Sequence, residues 1–376
     1  MPILYKLSSR YKIYTIFNSK DALVSLKKNK NLFILWSKIN NKYFVNNIYN
    51  KFIYKIFFRF SNFFRLTFLN DFFLDKIHEL DIFRTNTQID FKEIKYIFLT
   101  FNNFSSWPDV LKKYNKKIKI IRYPEAQHIW QYNSRYNKKF YKFENLISDI
   151  IILQDNAKIF SKKFMDKKKI IYSGVPKFSN FWIKKFLKKN KNNKNIVIAT
   201  RPPYKGNLEK DYFSTESYNY LVSNIFKLGK KFKNYKLIFK LHPNGNEHDA
   251  IRRLARENNF YNYEISDQHL FVLGKNSRVC ISFYSSAVLD FLTVNNNIIE
   301  FWRNDVDNID FIRDKVKKKW VSIYSKLNLV NSVDNYNDLD NMVSKVILSK
   351  KSIEPKGKNK YFNKINKNIN DYIKSF

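Results

Sequence analysis

The sequence predicts an α/β protein of two doubly wound domains, each a parallel sheet wrapped by helices, facing a cleft. Three observations predict it. Short apolar runs of strand type alternate with segments of helical pattern. A polar, basic stretch of low complexity at 184–195 (KKFLKKNKNNKN) interrupts them. The same rhythm then restarts. The expected division is an N-terminal domain over 1–183, a linker over 184–195, a C-terminal domain over 196–350 and a basic tail over 351–376 ending in a short helix. A chain of 376 residues is long enough for two or three domains of roughly 150 residues. No internal repeat of fixed period is visible.

The elements follow in order. Residues 30–36 (KNLFILW) read as a short apolar strand and about 45–74 as a helix. In that helix Phe57, Phe60, Phe64, Phe68 and Phe72 recur at three- or four-residue spacing, with Lys55, Arg59 and Arg65 interleaved. Such a stripe packs into a core or lies on a membrane surface. Residues 95–101 (KYIFLTF) are strand-like, and 108–115 are helical with Pro108 in the first turn. Residues 117–123 (KIKIIRY) form a strand closed by Pro124, and about 131–147 a helix. Residues 149–154 (DIIILQ) form a strand, 155–166 a helix, and 170–173 a short strand ending at Gly174. In the second half, 195–200 (NIVIAT), 236–241 (KLIFKL), 279–282 (VCIS) and 297–302 (NIIEFW) are strands. Helical patterns cover about 214–232, 247–258 and 287–293.

Composition narrows the function. Lys and Arg number 70 against 32 Asp and Glu, a net charge of +38. The 44% hydrophobic and 18% aromatic content excludes a disordered chain. Six glycines and no Gly-x-Gly-x-x-Gly or Walker-type loop disfavour a dinucleotide dehydrogenase or a P-loop NTPase. The single Cys280 excludes an intramolecular disulfide and a cysteine-built zinc site. The charge invites a nucleic-acid reading. However, the lysines are spread along a chain rich in Asn, Ile, Phe and Tyr, the bias of an AT-rich genome, and no recognition motif accompanies them. No specific nucleic-acid partner is expected. A cationic surface serving an anionic substrate or anionic lipid is. The N-terminus lacks the apolar core of a signal peptide, and no stretch of about 18 residues is free of charge. The expected location is cytoplasmic, peripheral at the inner face of the membrane.

In open parallel sheets ligands bind beyond the carboxyl ends of the strands. Strand 195–200 delivers Thr200 and Arg201, strand 236–241 delivers His242, and strand 279–282 delivers Tyr284, Ser285 and Ser286. Two hydroxyls and backbone N–H groups opening a helix suit a phosphate, and an imidazole and a guanidinium would neutralise its charge. The expectation is one anion-binding crevice in the second domain. Asp305 and Asp307 form an Asp-x-Asp that reads as a polar turn, so no essential metal and no cofactor are expected.

At these residues a resemblance enters. Lys240-Leu241-His242-Pro243, followed by Tyr284-Ser285-Ser286-Ala287-Val288-Leu289-Asp290-Phe291-Leu292, looks like the Lys-Leu-His-Pro and Tyr-Ser-Ser…Asp-Phe-Leu signatures of the CDP-glycerol glycerophosphotransferase-like family. Tyr172-Ser173-Gly174-Val175-Pro176-Lys177 is similar to its Gly-x-Pro-Arg segment. The likeness spans roughly 117–302. The His-Pro and Ser-Ser pair also resembles bacterial sialyltransferases and Kdo transferases that use CMP-sugars. Phe283 stands where the first family usually has an acidic residue. The resemblance implies the GT-B fold, with two Rossmann-like domains. It implies donor binding by Arg201, Lys240, His242, Pro243, Ser285 and Ser286, with Gly174, Pro176 and Tyr284 lining the cleft.

The acceptor side follows from the loop after strand 117–123, Pro124-Glu125-Ala126-Gln127-His128. Glu125, or else His128, is the expected base for the acceptor hydroxyl, and His242 relieves or protonates the leaving phosphate. The leading reading is a metal-independent, inverting glycosyltransferase of surface polysaccharide or lipooligosaccharide synthesis. Its donor is a nucleotide sugar, CMP-sugar favoured over UDP- or GDP-sugar, and its acceptor a glycan or lipid-linked glycan. The alternatives are a CDP-glycerol- or ribitol-type polymer phosphotransferase on the same fold, and a non-enzymatic nucleic-acid or anionic-lipid binding protein.

Overall fold

The computed structural model describes residues 12–17, 26–27, 30–45, 91–100, 112, 115–123, 148–153, 169–172, 176–187, 194–203, 214–242, 247–302, 312–313, 320–359 and 361–362. Strands β1 (Ile13–Phe17) and β2 (Asn40–Val45) pair in parallel, with helix α1 (Lys30–Ile39) between them in the chain. The run at 30–36, strand-like by composition, is therefore helical. Leu35, Trp36 and Ile39 are buried while Ile34, Ser37 and Lys38 are exposed, which is the spacing of one helix face. The period shows only once Ile39 is included, because seven residues hold fewer than two helical turns.

Strands β3 (Tyr96–Thr100), β4 (Lys119–Tyr123), β5 (Ile150–Leu153) and β6 (Lys169–Tyr172) form a four-stranded sheet in that order, every pair parallel. These are the apolar runs that read as strands. Ile118, Ile120, Ile151 and Ile152 are at most 1% exposed, as a sheet covered on both faces requires. The helices expected at 131–147 and 155–166, most of those at 45–74 and 108–115, and the stripe of Phe57 to Phe72 lie outside the described residues.

A short 3-10 turn (Pro176–Phe178) and helix α2 (Asn180–Ile183) lead out of this sheet. Phe178, Trp182, Ile183 and Phe186 are all buried. They pack with residues of the second half in one hydrophobic cluster, and Phe186 stacks on His269 with ring centroids 4.2 Å apart.

The second sheet is built from β7 (Asn195–Ala199), α3 (Thr215–Lys231), β8 (Lys236–Lys240), α4 (His248–Glu257), β9 (Tyr263–Ile265), α5 (Leu270–Lys275), β10 (Val279–Ser282), α6 (Ala287–Leu292) and β11 (Ile298–Phe301). A two-residue antiparallel pair follows, β12 (Ile312–Arg313) with β13 (Trp320–Val321). The chain then forms α7 (Ile323–Lys326), β14 (Asn331–Val333) and α8 (Tyr336–Ile347). The six parallel strands lie in the order β14-β11-β10-β7-β8-β9. Numbered within the sheet and read from the β9 edge, that is 3-2-1-4-5-6, the order of a dinucleotide-type doubly wound fold.

Side-chain alternation along the strands feeds two cores. Val197, Ala199, Ile238, Cys280 and Ile298 join Trp182, Phe271, Leu289 and Leu292 on one face. Ile196, Ile198, Leu237, Phe239, Ile281 and Ile299 join Leu221, Ile225, Leu254, Leu339 and Val343 on the other. Each buried Val, Leu, Ile or Phe side chain among them contributes about 1.5–3 kcal/mol by leaving water. Helix α3 is delimited as its sequence dictates. Ser214 accepts from the Ser217 N–H at 3.0 Å, an N-cap, while Glu216 stands in the first turn and Lys230 and Lys231 in the last, each suited to the helix dipole. Among the described residues no helix is long and apolar enough to cross a membrane.

Candidate functional site

The change of winding direction falls between β7 and β10, and ligands bind at the carboxyl ends of the strands on either side of such a point. The registers place three sequence-predicted residues there at one level. Ala199 pairs with both Lys240 and Ser282. Arg201, His242 and Tyr284 each follow their strand's paired residue by two positions, about 6–7 Å of extended chain. The ends are also tied to one another. The Thr200 N–H donates to the Lys240 carbonyl at 3.1 Å and the Phe283 N–H to the Ala199 carbonyl at 3.0 Å.

Arg201 bridges β7 to the loop after β10. Its Nη1 donates to the Tyr284 carbonyl at 3.2 Å, and its guanidinium carbon stands 5.1 Å from the centroid of the Tyr284 ring. Tyr284 has φ 46°, a left-handed conformation that costs a non-glycine residue about 1–2 kcal/mol. The two contacts from Arg201 hold it there.

The loop itself corrects one expectation. Most of the backbone amides that open helix α6 are already engaged within the turn. The Ser285 N–H donates to Ser282 Oγ at 3.1 Å, and the Ala287 N–H donates to Ser285 Oγ at 3.3 Å. Ser286 occupies the N-cap position without a side-chain cap bond. What the loop can present to a ligand is chiefly hydroxyl groups held in a tight turn.

His242 is half-buried. Burial, and after it the charge of Arg201, hold its imidazole below the usual histidine range. It is therefore neutral at neutral pH, with Arg201 near enough to act on it. Lys240 lies on the same strand face as Ile238. Burial pulls its ammonium below the usual lysine range, against the opposing charge of Asp267. Beside it His269 accepts from the Phe271 N–H through Nδ1 at 3.2 Å. Burial first, then Lys177 and Lys240, lower that imidazole to about 3.

Two carboxylates that the motif reading did not foresee as partners complete the surroundings. Asp290, in α6, is 3% exposed. Lys177, from the turn after the first sheet, lies 2.6 Å from its Oδ1 and 2.9 Å from its Oδ2. Glu247, 2% exposed, opens α4. Lys177 and Asp290 both lie in the quoted motifs, but 113 residues apart in sequence, so nothing local signals their pairing. Replacing Lys177 by methionine leaves the Asp290 charge buried and unpaired. Because the lysine side chain is 31% exposed, solvent screens part of the loss. The expected cost is about 2–3 kcal/mol in urea unfolding, largely recovered when Asp290→Asn is added.

The remaining predicted residues divide plainly. Glu125, His128, Gly174, Pro243, Asp305 and Asp307 lie outside the described residues, and Pro176 lies in the 3-10 turn. Ser285 and Ser286 stand with Arg201, His242, Lys240 and Tyr284 at the same end of the sheet.

No family model matches the chain, and no curated protein matches it. Solved structures similar to it include a UDP complex of S. aureus MnaA, 11% identical with a TM-score of 0.49, covering 96% of this chain and 92% of that one. The UDP-GlcNAc 2-epimerase of Neisseria meningitidis bound to UDP-GlcNAc is 12% identical with a TM-score of 0.47, covering 97% and 98%. The trehalose-6-phosphate synthase OtsA is 11% identical with a TM-score of 0.43, covering 82% and 76%. Likeness at this level bears on neither activity nor substrate.

Proposed function

We propose that the chain is a nucleotide-sugar-dependent glycosyltransferase, with a CMP-sugar as the favoured donor. The acceptor would be a glycan hydroxyl of surface polysaccharide or lipooligosaccharide, on a glycan or lipid-linked glycan. The observation that carries the proposal is the registered convergence of Arg201, His242 and the loop of Tyr284, Ser285 and Ser286 at the point where the second sheet changes direction. A guanidinium, a neutral imidazole and two hydroxyls suit a nucleotide phosphate. As the bond from the donor phosphate to the sugar breaks, negative charge collects on the phosphate. Arg201, and His242 once the bound phosphate has led its imidazole to take up a proton, would relieve it without a metal. Glu125, or else His128, would take the proton of the acceptor hydroxyl. The Lys-rich surface would hold the enzyme at anionic lipid.

The test is thermal unfolding of the purified protein with CMP, CDP, UDP, GDP or a polyanion. A ligand bound only by the folded state raises the melting temperature. At 100 times its dissociation constant it contributes about 2.7 kcal/mol. The expected result is a rise with CMP or CDP. A rise with polyanion alone would overturn the proposal in favour of a nucleic-acid or lipid-binding protein. The resemblance to CDP-alcohol enzymes is settled by offering CDP-glycerol and a CMP-sugar side by side and following which one is consumed.

A further inference from the structure

Glu247 is a buried charged side chain at this site with no role in the chemistry above. As the residue before α4 it stands at the N-cap, yet its side chain makes no cap bond. N-cap side chains ordinarily serve the first N–H groups of their own helix. This one turns back to the strand before it. Its Oε2 accepts the His242 N–H at 3.0 Å. Thr200, at the end of β7, and Tyr218, in α3, lie beside the same carboxylate, the Thr200 hydroxyl donating to the Lys240 carbonyl at 3.4 Å. Three elements of the sheet thus meet on one group that is 2% exposed. Burial raises its pKa, and Thr200, the His242 N–H, Tyr218 and His248 each oppose the rise. The Tyr218 phenol is pushed up by burial and then by the nearby Glu247 charge.

We propose that Glu247 is a positioning residue. By holding the His242 backbone N–H, with Thr200 and Tyr218 beside it, it fixes the imidazole beside Arg201 and so sets the site's affinity for a cytidine nucleotide. The affinity part rests on the function proposed above; the anchoring part does not. What matters is the reach of an acceptor oxygen, not the charge. Glu247→Gln keeps an oxygen at the same distance, and its amide can donate to the neighbouring hydroxyls. Glu247→Asp keeps the charge but withdraws the oxygen by one methylene. Glu247→Ala removes it and leaves the His242 N–H without its acceptor.

Hydrogen exchange at the His242 amide and CDP affinity by calorimetry, both on the full-length protein, test the proposal. In the Gln variant His242 stays protected and CDP affinity stays within about threefold. In the Asp and Ala variants exchange at His242 rises about tenfold or more, and affinity falls about tenfold, the worth of one hydrogen bond to a charged group. Protection of His242 in the Asp variant, or loss in the Gln variant equal to that in Asp, overturns it. The Asp variant, as the milder change, carries the test if the Ala protein does not fold. If neither CMP nor CDP binds the unmodified protein, the nucleotide reading falls and with it the affinity part, while the exchange measurement still decides the anchor.

Discussion

Replacing His242 by alanine is expected to weaken CDP binding about 30-fold and to remove the proton uptake at residue 242 from the pH dependence of that binding, leaving the titration of the ligand's own phosphate. The imidazole stands two residues beyond the end of β8, half-buried, and both burial and Arg201 keep its proton off in the unliganded protein. A bound phosphate reverses the local balance, because its negative charge favours the imidazolium. Ligand binding therefore takes up a proton at His242. The sign of this contribution follows. Affinity is highest below the lowered pKa of the free protein, where the imidazole is already charged. It falls as pH rises from that value to the raised pKa of the complex, and is flat above it. A charge-assisted hydrogen bond is worth about 1.5–3 kcal/mol, which is about 10- to 100-fold in affinity. Calorimetry from pH 5.5 to 8 in buffers of different ionisation heat measures both the slope and the proton uptake. His242→Asn should recover part of the affinity, since an amide donates a hydrogen bond, but none of the proton uptake at residue 242, since it does not titrate. An unchanged affinity in His242→Ala would remove the imidazole from the phosphate site.

The parts of this fold legible in the sequence are those whose signal is local. All the strands of the two large sheets read from apolar runs are present, as are α3, α4 and α6. Each is a run of three or more buried residues or a helix longer than its own period, apart from β3 and β6, whose described side chains are half-buried, and α6, which the Ser-Ser pair marked. The run at 30–36 misled because a buried helix segment and a buried strand look alike over seven residues. Strands β9 and β14 and helices α5 and α7 span three to six residues, too few to show a period. Helix α8 was within reach and was missed. Asn335 caps it by accepting from the Asp338 N–H, and Leu339, Val343 and Val346 form its buried face at the spacing of a helical stripe.

The candidate site divides in the same way. His242, Arg201 and Ser285 could be found because each follows a strand, and strand ends are visible. Their common level could not, since it depends on the register of β7 with both β8 and β10, a long-range property. Glu247 opens a polar helix and reads as surface; only the turn of its side chain back to His242 buries it. The Ser-Ser pair promised open amides at a helix start. The serine at 282, inside the strand, uses up one of them, a bond that no pattern in the linear sequence announces.

A second carboxyl on the same edge carries the other large prediction: Glu300→Gln is expected to stabilise the protein by about 3 kcal/mol above pH 7 and by nothing near pH 4.5. Glu300 is the third residue of β11, in register with Ser282 of β10 and Ser332 of β14, and wholly buried. Its Oε2 accepts from Ser322 Oγ at 2.6 Å and from Ser332 Oγ at 3.0 Å, and Ser332 Oγ in turn accepts from Trp302 Nε1 at 2.8 Å. Its Oε1 is buried without a hydrogen bond. Burial outweighs the two hydroxyls and pushes the pKa from 4.5 up to about 7. Between those values the folded state holds a proton that the unfolded chain releases. Stability contributed by Glu300 is thus complete below pH 4.5 and is lost as pH rises to about 7. At about 1.4 kcal/mol per pH unit, the rise amounts to about 3 kcal/mol. Glutamine imitates the protonated carboxyl and has no such loss. The difference between variant and wild type in urea unfolding, measured from pH 4.5 to 8, isolates this group, because every other carboxylate titrates alike in both proteins. Parallel curves would mean that Glu300 is not buried as described. A widening gap would establish that a carboxyl ionised at a cost stands one strand from the Ser282 loop, on the edge where the sheet offers His242 and Arg201, the part of a fold where packing rules yield to chemistry.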